Sequence, residues 1–159
     1  MSDVALWPIE PHTQAKHALL KLYLDRWFPI LGKHNTRINY IDGFAGPGKY
    51  SGGESGSPIL AIQSAADHLA NGTLLPNVEG NFIFVERSAD HISQLRRQVA
   101  ELSPPSQFKF EFVEGHFRGH LDDIITKIEA AVRKLAPTFA FVDPFGFSGI
   151  PMSLMARPC

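Results

Sequence analysis

The chain has 159 residues, 44% hydrophobic and 19% charged, with Lys+Arg of 15 against Asp+Glu of 16 and a formal net charge of −1. This balance fits one globular domain around one core and excludes an intrinsically disordered chain, and without a basic run nothing in the electrostatics advertises a nucleic-acid surface. The one cysteine, Cys159, leaves no disulfide framework or cysteine metal site within the chain, and no stretch is apolar over the length of a membrane span. The amino end lacks the basic-then-apolar plan of a signal peptide, so the cytoplasm is the expected location.

In chain order, Thr13 is placed to cap a helix running to about Leu31, with Leu19, Leu20, Tyr23, Leu24, Trp27 and Phe28 at helical spacing. Lys16 on this helix reads either as a solvated lysine or as a cation for a ligand carboxylate. His12 and His17 miss the i, i+4 spacing of a metal pair, so no metal site is expected. Next comes Tyr40-Ile41-Asp42-Gly43-Phe44-Ala45-Gly46-Pro47-Gly48, an apolar strand ending in an acid and running into a glycine-rich turn, the arrangement by which a Rossmann-like sheet makes room for a nucleotide. Ser57-Pro58 begins a helix to about Leu69 that Asn71-Gly72 ends. Asn81 to Glu86 is a second strand, Ser88 caps a helix to about Leu102, and Phe108 to Val113 is a third strand ending in Glu114-Gly115. A helix from about His120 to Leu135 then precedes a fourth strand, Thr138 to Val142, which ends in Asp143-Pro144-Phe145-Gly146. Helix, then strands alternating with helices, predicts an α/β fold: a Rossmann-like three-layer sandwich on a parallel sheet. It forms one domain over 1–159, with a leading helix in 1–37 and the core in 38–152.

Three motifs compete for the glycine-rich turn. As a P-loop, Gly43 to Lys49 fits G-x-x-x-x-G-K, but Tyr50 stands where Ser or Thr should hold magnesium, and the following residues have loop composition rather than that of a helix. As a dinucleotide fingerprint, Gly46 and Gly48 match, but Ser51 replaces the third glycine and no strand-terminal acid follows at about 20 residues, the next being Glu86. The third reading, D-x-F-A-G-x-G, resembles motif I of class I S-adenosylmethionine-dependent methyltransferases. Acids in series at four strand ends agree with it.

That resemblance implies S-adenosyl-L-methionine as cofactor, held by Asp42, Gly43, Phe44, Ala45, Gly46 and Gly48, with Glu86 on the ribose hydroxyls and Glu114 near the adenine. Asp143, Pro144 and Phe145 resemble the D/N-P-P-Y/F motif of amino-methyltransferases and are the expected catalytic residues, although Phe145 and Gly146 depart from the pattern. Each acid also has a structural reading: a turn cap for Asp42 and Asp143, a helix-start charge for Glu86, a loop acid for Glu114. Trp7, the run His12 to His17, Leu22-Tyr23-Leu24, Trp27, the glycine-rich turn, Gly56-Ser57-Pro58 and Asp143 to Gly146 together resemble the three-Cys-motif partner protein family, TcmP. The family implies a methyltransferase-like protein acting beside a three-Cys-motif protein, while the resemblance at Asp143 to Gly146 implies an amine acceptor, on a nucleic acid or else on a protein or small molecule. The resemblance to class I methyltransferases implies strand order 3-2-1-4 within a larger sheet, so the chain is expected to be an incomplete class I methyltransferase fold, truncated after its fourth strand or else completed by another chain. The alternative function is a non-catalytic module that binds cofactor or partner.

Overall fold

The structure is a computed structural model and describes residues 6–115, residue 126 and residues 136–143. Helix α1 spans Pro11–Gly32, with Glu10 rather than Thr13 as its cap, because Pro11 fits the first helical position where its missing N–H costs nothing. Its buried residues Thr13, His17, Leu20, Leu24, Phe28 and Gly32 recur at three- and four-residue steps, forming one inward stripe. Gly32 closes that stripe against Leu74, whose side chain fills the space a Cβ would need. Helix α2, Ser57–Ala70, packs beside α1. The two are clamped by Asp25, which accepts from Ser64 Oγ at 2.6 Å and pairs with Lys21 and His68. Gly56 is the cap of α2, and the Ser57 hydroxyl is used elsewhere. Helix α3, Ala89–Glu101, starts as expected at Ser88, whose Oγ accepts from the His91 N–H.

Strands β1 (Arg37–Asp42), β2 (Glu79–Glu86), β3 (Phe108–Glu114) and β4 (Thr138–Phe141) form one parallel sheet in the order β3-β2-β1-β4. The fold is α/β and Rossmann-like, with the strand order expected. The helix anticipated from His120 to Leu135 lies outside the described residues, apart from Thr126, which is helical.

One sheet face carries Ile38, Tyr40, Phe82, Phe84, Phe108, Phe110, Phe112, Phe139 and Phe141, because the register sets Tyr40 beside Phe82 and Phe139. Tyr40 stacks on Phe139 at 6.1 Å and Phe82 on Phe110 at 5.4 Å. Leu20, Leu24 and Phe28 of α1, Ile59, Ile62 and Ala65 of α2, and Leu95 and Val99 of α3 close over this surface. Each large side chain so buried contributes roughly 1.5–3 kcal/mol. Arg96 of α3 lies 4.5 Å over the Phe112 ring, shielding the outer strand with a guanidinium. The opposite face buries Ile83, Val85 and Val113 with Ile41 against them. There Asn81 Nδ2 donates to Asn39 Oδ1 at 3.0 Å and Asn39 Nδ2 to Thr138 Oγ1 at 3.3 Å, a polar line across three strands. Among the described residues no helix is long and apolar enough to cross a membrane.

Candidate active site

Parallel strands bring all their carboxyl ends to one edge of the sheet, so Asp42, Glu86, Glu114 and Asp143 share that edge. Their environments differ. Asp42 is 0% exposed, and its oxygens accept from Ser57 Oγ at 2.5 Å, Tyr40 OH at 3.3 Å and the Phe44 N–H at 3.2 Å. Rather than facing a crevice, it ties the start of the glycine-rich turn to the first residue of α2. Burial pushes its pKa up to about 7, against the lowering effect of the three donors, and the nearby Asp143 charge adds to the rise.

The glycine-rich turn is held to its neighbours strand by strand. Gly43 N–H donates to Phe141 O and Ala45 N–H to Val85 O, so the turn spans the ends of β4 and β2. Gly46 and Gly48 have φ of +69° and +92°, conformations that disfavour a side chain. At Gly48 a Cβ would also stand 3.0 Å from Leu95 Cδ1, so this glycine lets the turn pack on α3. Lys49 and Ser55 then form an antiparallel bridge, and Gly56 N–H donates to Gly48 O at 2.8 Å. The segment after Lys49 is therefore a small hairpin, and the helix waits until Ser57. A P-loop needs its helix directly after the lysine, so the P-loop reading fails on geometry as well as on Tyr50.

Glu86 reaches from the end of β2 to this turn. Its Oε2 accepts from the Gly46 N–H at 2.8 Å, its Oε1 accepts from the Ser88 N–H at 3.1 Å, and His91 Nδ1 stands 3.6 Å from Oε1. Burial works to raise its pKa, but His91 and the two backbone donors outweigh it and hold the carboxyl below its ordinary range. Glu114, its register partner on β3, is exposed and flanks the same end of the sheet. Phe44 and Ala45 complete the turn, Phe44 half-buried and Ala45 buried.

Asp143 follows β4 and is 6% exposed. Its Oδ1 accepts from Lys16 Nζ at 2.9 Å, which gives that lysine a definite role: it joins α1 to the end of the sheet. Pro144 and Phe145, the other expected catalytic residues, lie outside the described residues. Two side chains not anticipated from the sequence complete the cluster. His17, one residue beyond Lys16 and on the buried stripe of α1, tilts against the Tyr50 ring at 5.9 Å. Burial lowers the His17 pKa, partly countered by Asp143, so its imidazole tends to the neutral form. Burial raises the Tyr50 pKa, and Asp143 and Asp42 raise it further, so its phenol stays protonated. The spacing of His17 with Leu20, Leu24 and Phe28 was the available signal for His17. Tyr50 had served only as an argument against magnesium.

An ionised carboxylate lies beside backbone amides over β1 and β2, and a lysine–aspartate pair lies over β1 and β4. Among the described residues no group of three or more His, Cys, Asp and Glu side chains is placed to hold a metal ion. No family model matches the chain, and no curated protein matches it.

Proposed function

We propose that the chain is an S-adenosylmethionine-binding, methyltransferase-like protein of the TcmP type, acting in the cytoplasm on an amine, with a nucleic-acid amine as the first class to test. The observation that carries this reading is the bond from Gly46 N–H to Glu86 Oε2, which fixes a charged carboxylate at the ends of two adjacent parallel strands. That is where a Rossmann-like crevice meets a ribose. Glu86 would hold the ribose hydroxyls, the turn from Gly43 to Gly48 the middle of the cofactor, and Glu114 the base end. Asp42, being internal, would act by keeping the turn in shape.

When bound, the cofactor supplies an electrophilic methyl group; the protein's share is to hold the acceptor and take up a proton. Asp143 would accept a hydrogen bond from the acceptor amine, raising electron density on its nitrogen, and Lys16 would hold that carboxylate in place. Titration calorimetry with S-adenosylmethionine, with ATP and NAD alongside, tests the reading. Saturable binding of the methionine cofactor alone supports it, and binding of ATP or NAD instead overturns it.

A partner-binding role draws on a different surface. Leu19, Leu22, Tyr23 and Ile30 form an exposed apolar stripe along the outer side of α1, away from the sheet. A three-Cys-motif protein would be the partner. Loss of co-purification with such a protein on changing Leu22 and Ile30 to Ser is the expected result.

A further inference from the structure

Trp7 lies ahead of α1, outside the helical pattern that accounts for the other large apolar side chains of the amino end. Two contacts nevertheless fix it. Its carbonyl accepts from the Ser51 N–H at 2.9 Å, in the hairpin after the glycine-rich turn. Its indole stands perpendicular to the His91 ring at 5.9 Å, on the first turn of α3. His91 Nδ1 is in turn 3.6 Å from Glu86 Oε1, and Glu86 Oε2 holds the Gly46 N–H. A continuous line of contacts thus leads from the indole to the carboxylate and on to the turn. Along that line Glu86 and Gly46 are buried and His91 is partly buried, yet Trp7 remains 47% exposed.

A tryptophan held through its carbonyl and through a contact of its ring, with much of its surface still exposed, is a stacking platform whose ordering has already been met in the free protein. Burial of its apolar area is incomplete, which a purely structural anchor does not require. We infer that Trp7 is the base-stacking wall of the cofactor crevice, and that His91 couples it to the ribose-binding carboxylate of Glu86. The ligand class is an adenosine derivative: a flat base for the indole and a diol for Glu86. The inference rests on the nucleoside-cofactor reading above and adds to it a residue from the segment before α1. The interaction belongs to the same class as base stacking on aromatic side chains in single-strand binders, where one ring changes affinity by tenfold or more.

The test uses S-adenosylhomocysteine and adenosine as probes on the full chain. The sequence has two tryptophans, and Trp27 is packed with Phe28 and Phe139, so a Trp27→Phe variant leaves Trp7 as the sole indole reporter. Saturable change of Trp7 emission on adding S-adenosylhomocysteine is expected. By calorimetry, Trp7→Leu should weaken binding by about tenfold or more, whereas Trp7→Phe should stay within about threefold of the parent. Thermal melts of both variants should match the parent. If S-adenosylhomocysteine binds and Trp7→Leu binds equally well, the stacking role is overturned while the cofactor reading stands. A loss in Trp7→Leu that Trp7→Phe does not restore, with a lowered melt, assigns Trp7 a structural role and also overturns it. Absence of binding by the folded parent overturns both.

Discussion

Asp42 and Glu86 end adjacent strands of one sheet, and both are buried, yet their proton affinities move in opposite directions. Asp42 is met by two hydroxyls and one amide and sits wholly out of water, so desolvation dominates. Glu86 is met by two backbone amides and an imidazole, and these donors win over burial. Two acids that end neighbouring strands therefore have different tasks. One is a neutralisable brace near physiological pH, and the other is a standing negative charge.

The largest effect should come from Asp42→Ala, which strands the Tyr40 and Ser57 hydroxyls and the Phe44 amide and should cost roughly 3 kcal/mol in urea unfolding. The pH dependence separates the two acids further. Because the folded Asp42 holds its proton more tightly than the unfolded chain does, its contribution is fullest in acid and is lost as pH rises from about 4 through 7. The span is up to about 4 kcal/mol. Asp42→Asn should flatten that decline; an unchanged slope between pH 5 and 7.5 would break the comparison. Glu86 has the opposite sign: its stabilisation is present above the unfolded carboxyl value and is lost as pH falls through its lowered folded value. Glu86→Gln should cost about 2 kcal/mol at pH 7, remove the acid limb and abolish cofactor binding.

Smaller effects sharpen the picture. Lys16→Ala leaves the buried Asp143 carboxylate without its ammonium and should cost about 1–2 kcal/mol at neutral pH, a partial loss because Lys16 itself is partly exposed. Glu114→Gln should change stability by less than about 0.5 kcal/mol, since the side chain is exposed. A drop in cofactor affinity without a drop in stability would then mark Glu114 as a ligand contact.

The strands and the placing of the four acids at one edge were legible because period, glycine and acid signals coincide there, and the strand order followed from the resemblance to class I methyltransferases. Among the described residues helix boundaries were legible to within three residues, and the miss at α1 came from weighing Thr13 as a cap above Pro11 as a first-turn residue. Side-chain direction was not legible. A serine before a proline looks like a cap, and whether Ser57 bonds its own helix or an aspartate fifteen residues earlier depends on how the turn folds back. The pairing of Lys16 with Asp143, 127 residues apart, is likewise a product of the third dimension. The Asn39–Asn81–Thr138 line escaped notice for the same reason: each residue alone is an ordinary polar interruption in a strand.

That polar line has a consequence at the other end of the sheet. Three residues separate Asn39 from Asp42, about 10 Å of strand, and a slip of one residue moves a strand end by about 3.3 Å and turns its side chains to the opposite face. Apolar packing alone gives little penalty for sliding one phenylalanine past another, whereas buried amides must meet their partners. The asparagines therefore act as a datum line, holding β1, β2 and β4 in a register in which Asp42 lies level with Phe84 and Phe141, and the Glu86 and Asp143 carboxylates, from distant parts of the chain, each arrive two residues beyond it.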